Sequence, residues 1–132
     1  MLRCILAIWL LPIAVLAQTP NVSSFVLASS NQIFKLVIEP ELSPLRINKM
    51  HNWTIDLTSS DGVALIDARI SISGGMPEHN HGLPTSPQIS STSTPGRYVA
   101  QGIRFHMPGS WEISLNINHK GKTDTVSLKF NL

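Results

Sequence analysis

The chain has 132 residues, enough for one domain, with a formal net charge of +2 and only 14% charged residues. That balance argues against a disordered polyelectrolyte and against nucleic acid as a partner. A single Cys excludes a disulfide scaffold within the chain.

Residues 1–17 (MLRCILAIWLLPIAVLA) place Arg3 before an apolar run that ends in Val15 and Ala17, at the −3 and −1 positions of a small-residue cleavage site. This predicts a secretory signal peptide cut near Ala17. The run is shorter than the roughly 20 residues of a spanning helix and is interrupted by Pro12, so no membrane contact is expected of the mature form. Cys4 leaves with the signal, which removes thiolate chemistry from the mature protein. The expected location is the periplasm or outside the cell.

Residues 18–31 are polar and Ser-rich and read as a flexible leader, with the domain proper expected over 32–132. From there the hydrophobic period is two. Phe34, Leu36 and Ile38 alternate with polar or smaller neighbours. After a Pro-containing loop, Trp53, Ile55 and Leu57 do the same. Asp61-Gly62 predicts a turn, and residues 67–73 a strand that ends at Gly74-Gly75. A Pro/Ser/Thr/Gly-rich stretch follows, with one weak strand near 88–93. Residues 97–104 form the next strand. Trp111, Ile113, Leu115 and Ile117 give the clearest alternation, and His119-Lys120-Gly121-Lys122 closes a hairpin onto Val126, Leu128 and Phe130. About seven short strands and no helix predict an all-β, immunoglobulin-like antiparallel sandwich. Trp53 and Trp111 are expected in its core.

The residues with chemistry to offer are His and Met. Met76, His79 and His81 share the segment GGMPEHNHG, His106 and Met107 precede Pro108-Gly109, and His51 stands before the Trp53 strand. Imidazole with thioether suits copper, Cu(I) above all, with Cu(II) also compatible. In an extended segment His79 and His81 point the same way. Strand parity adds a prediction. If 88–93 crosses the sheet, all six residues gather at one end of the sandwich and His119 lies at the other. Glu78 is a further candidate ligand or supporting carboxylate. No Ser–His–Asp context or carboxylate pair supports catalysis, so a non-enzyme is expected. Asp56, Asp67 and Glu112 read as solvated, outward strand positions.

The runs HNWTIDL, DGVALIDARISISGGMPEHNHGLPTSP and PGRYVAQGIRFHMPGSWEISLNI resemble the bacterial YtkA-like family, related to FixH-type proteins. The resemblance spans roughly residues 36–131. It implies a small exported sandwich with a link to copper handling or oxidase assembly, and carries the site onto Met76, His79, His81, His106, Met107 and His51. The chain is also similar to periplasmic PCuAC-type copper chaperones, but its adjacent His106 and Met107 depart from their H-x-M spacing. The expectation is therefore a periplasmic copper carrier or metallochaperone that exchanges its ion with an envelope protein. The rival expectation is a metal-free interaction module docking through the same end.

Overall fold

The computed structural model describes residues 24–132; the expected signal peptide and the first part of the leader lie outside them. Nine strands run in chain order as β1 (Phe25–Ala28), β2 (Phe34–Pro40), β3 (His51–Ser59), β4 (Arg69–Met76), β5 (His81–Gly82), β6 (Gln88–Ser91), β7 (Arg97–Ile103), β8 (Ser110–His119) and β9 (Lys122–Asn131). A single 3₁₀ turn, Pro77–His79, separates β4 from β5.

The strands form two antiparallel sheets, β1-β2-β3-β7-β6 and β5-β4-β8-β9. Alternation explains both. In β3 every second residue from His51 to Leu57 is buried, and in β8 Trp111, Ile113, Leu115 and Ile117 are. Two sheets that each bury one face pack those faces together. Trp53 and Trp111 lie in that core, as their phase predicts.

Three expectations on strands need correction. Residues 25–28, read as leader, are β1, and they pair with β2 from Phe25↔Ile38 to Ala28↔Lys35. The count is therefore nine rather than about seven, with the two-residue β5 also unforeseen. Strand β4 begins at Arg69, so Asp67 precedes it at a positive φ of 59°. It also runs on through Gly74-Gly75, because β8 and β5 pair with those glycines.

Strand β6 does cross the sheet. It pairs with β7 from Gln88↔Gln101 to Ser91↔Tyr98, so the parity argument holds. The turns after β4 and after β7 both reach the end where β3 begins. We call this the histidine end. The β8–β9 hairpin, with His119, lies at the opposite end beside Ser59 and Asp61.

Between β3 and β7 the register shifts by one residue, between His51↔Ile103 and Trp53↔Ala100. Gly102 takes up the extra residue at φ 82°, a conformation that side chains rarely adopt. Beyond this bulge Ile103 and Phe105 point into the core, while Arg104 and His106 are only partly covered.

Candidate metal site

His79 at the end of the 3₁₀ turn and His81 at the start of β5 are both exposed to solvent. Asn80 makes this possible at φ 52°, and its N–H closes the turn on the Pro77 carbonyl at 3.3 Å. The rings of His79 and His81 stack with centres 6.3 Å apart and planes at 22°. His106 arrives from the β7–β8 connection, its ring 5.8 Å from that of His81 and nearly perpendicular to it. Three imidazoles thus form a chain with His81 at its centre. Two imidazoles sharing one ion have ring centres about 5–6 Å apart, given metal–nitrogen bonds of about 2 Å. The His81–His106 spacing falls in that range. As placed, the described residues form no group of three or more His, Cys, Asp or Glu donors around one point. The arrangement is a row of donor pairs rather than a closed cage.

His106 leans edge-to-face on Trp111, 5.5 Å between centres. The Trp111 indole N–H donates to the Met107 carbonyl at 3.0 Å and so pins the His106-Met107 turn to β8. His106 Nδ1 is buried and without a hydrogen-bond partner. The residue as a whole is partly exposed.

The other three candidates are placed differently. His51 is 2% exposed. Its Nε2 accepts the Trp53 indole N–H at 3.0 Å, so its Nδ1 carries the proton and donates to the Lys49 carbonyl at 3.1 Å. Both nitrogens are committed, and its ring neighbours are Trp53 and Phe105 rather than the other histidines. Met76 is fully enclosed in the core. Met107 is partly buried against that core. His119, expected apart from the site, lies at the opposite end.

Carboxylates elsewhere have structural partners. Asp56, read as solvated, takes a two-pronged contact from Arg97, with Nε to Oδ1 and Nη2 to Oδ2 each at 2.7 Å. That hydrogen bond and the guanidinium charge hold its carboxyl below the usual range. Glu112 accepts from Ser127 at 3.0 Å and pairs with Lys129 at 3.3 Å. Asp124 is nearly buried. Burial works against its charge, but hydrogen bonds from Ser29, from the Thr125 and Asn31 backbone amides and from the Asn31 side chain prevail, holding its pKa down to about 2. Glu78 lies beside His79 and makes none of the ion pairs formed among the described residues.

These features define a small all-β sandwich with a histidine row exposed at one end. A family model described as YtkA-like matches residues 28–116, and the chain belongs to the YtkA-like family. Among curated proteins none matches significantly. Of solved structures, a DUF4426 family protein from Pseudomonas aeruginosa is similar at a TM-score of 0.58 and 11% identity, covering 83% of this chain and 94% of that one. That likeness concerns the fold alone. The ZirS C-terminal domain aligns over 98% of this chain and 88% of its own at 14% identity, with a TM-score of 0.44. No helix among the described residues is long and apolar enough to cross a membrane.

Proposed function

We propose that this protein is an exported copper-binding protein that carries its ion at the histidine end and exchanges it with an envelope partner. The observation that carries this reading is the row His79–His81–His106, its first two members exposed and the third partly so, with ring centres 6.3 and 5.8 Å apart. A structural metal site encloses its ion in four ligands, whereas a carrier must surrender it. Donor pairs on a surface turn suit ligand exchange. Imidazoles accept copper in either oxidation state, and a thioether biases the site to Cu(I). Of the two candidate thioethers, Met76 is enclosed, and Met107, next to His106 in sequence, is partly buried. His51 is left out of the ligand set because both its nitrogens are engaged.

The test is an anaerobic Cu(I) titration against a competing chelator, repeated aerobically with Cu(II). Trp111 supplies a second readout, because an ion at His106 sits close enough to its ring to quench its emission. One equivalent bound by the wild type, and lost in the His81→Ala/His106→Ala double variant, is expected. No binding above that variant would overturn the copper reading and leave the metal-free interaction module.

A further inference from the structure

The sequence has eight glycines, and seven of them have a local reason to be glycine. Five stand at positive φ. A Cβ on Gly74 would lie 2.5 Å from Ile113 Cδ1 and 2.7 Å from the Glu112 carbonyl oxygen, and one on Gly75 would collide with the His81 carbonyl. Gly82 alone has neither reason. Its φ lies outside the left-handed region, and an added Cβ would meet nothing nearer than the Gly74 carbonyl oxygen at 3.8 Å. A glycine that neither backbone nor packing requires weakens a strand, and such positions mark the close approach of a ligand or another backbone.

Gly82 follows His81 directly. It lines a cavity of about 320 Å³ between Asn80 and His81 on one side and Glu112 and Ser114 on the other. A second cavity of about 380 Å³ shares Pro77 and Glu112 with the first and continues beneath Glu78, over Trp111 and Phe130. The two cavities adjoin at Pro77 and Glu112, and His81, the central histidine of the row, lines the first of them; we treat them as one groove. Its charges are Glu78, Glu112 and Lys129. Lys129 is engaged by Glu112 at 3.3 Å, so Glu78 is left as the uncompensated charge on the rim.

We infer that this groove receives an extended, basic segment of the protein that exchanges copper with this one, its backbone passing over Gly82 to bring the partner's donor atoms to His81. The inference rests on the copper reading for the identity of the partner. The groove itself is testable without metal. Negative rim charge selects a cationic segment, and the open backbone at Gly82 selects an extended one.

The experiment measures binding of a fluorescein-labelled, copper-free decapeptide of alternating lysine and serine to the full-length exported protein, by anisotropy. The control peptide has glutamate in place of lysine. Wild type is expected to bind the basic peptide and not the acidic one. Gly82→Val fills the space over the backbone and is expected to weaken binding at least about tenfold, and Glu78→Gln about threefold. Ser114→Leu narrows the same space from β8 and is expected to act like Gly82→Val, which keeps the test valid should the latter fail to fold. Equal binding of both peptides, no binding to wild type, or unchanged binding by the folded groove variants would each overturn the inference. The chelator titration is read in parallel on the same proteins. Absence of peptide binding to the wild type with copper affinity intact overturns the groove alone, and absence of copper binding to the wild type overturns the carrier reading alone.

Discussion

The two ends of the sandwich spend their polar groups in opposite ways. At the end opposite the histidines, Asp124 is nearly buried and collects hydrogen bonds from Ser29, Thr125 and Asn31, which join the β1–β2 turn to β9. At the histidine end, His79 and His81 face solvent, Glu78 makes no ion pair, and His106 keeps a buried Nδ1 without a partner. An unmet buried polar atom costs about 1–3 kcal/mol, which makes the second pattern one that stability alone does not favour. The contrast teaches where to look for binding: at the end whose donors and acceptors the fold leaves uncommitted.

The largest expected effect comes from the one histidine at that end which the fold does commit. His51→Ala removes the acceptor of the buried Trp53 indole N–H and opens a core cavity, so urea denaturation should show a loss of about 3 kcal/mol. Copper affinity of the folded fraction should stay unchanged, in contrast to the surface histidines. Next is the acid behaviour of Asp124. Its folded pKa of about 2 lies below the ordinary 3.8, so its contribution is complete above the unfolded value and disappears as pH falls from about 4 to about 2. Denaturation midpoints across that range should fall in wild type and change less in Asp124→Asn, which starts from a lower midpoint.

The reverse pattern is expected for His79→Ala and His81→Ala. Both are exposed, so stability should change by no more than about 0.5 kcal/mol while copper binding weakens strongly. Acidification should release the ion, because the neutral imidazole is the binding form. A chelator titration in a pH series tests this, and pH-independent affinity would argue against histidine ligation. The smallest effect belongs to His119→Ala, at the end without the row, where neither the melting temperature nor copper affinity should move measurably.

Much of this organisation was legible in the sequence. Period-two alternation marked the core strands, and counting strand directions put the His79–His81 and His106-Met107 turns at one end. What it missed has particular causes. Strand β1 is four residues long and half-buried, too short for its alternation to stand out from a Ser-rich leader. The Gly-Gly pair looked like a stop, yet it is a strand position where only glycine fits between β8 and β5. His51 carried a readable sign, being in phase with Trp53, Ile55 and Leu57 and therefore inward. The enclosure of Met76 depends on how the 3₁₀ turn folds back, which no local pattern records. Alternation marks Trp111 as a core residue, whereas its contact with His106 depends on the tertiary arrangement.

Leu132 is stitched into the turn that follows His106 and Met107. Gly109 N–H donates to the Leu132 carbonyl at 2.8 Å, and Leu132 N–H returns a bond to the Gly109 carbonyl at 3.0 Å. Any affinity handle fused after Leu132 therefore leaves the molecule beside the histidine row. A polyhistidine tag placed there would bring a crowd of competing imidazoles to the site and counterfeit the very binding being measured. Purification should rely on a metal-indifferent handle or a tag removed before titration, and removal must spare Leu132, because trimming it would unfasten the turn.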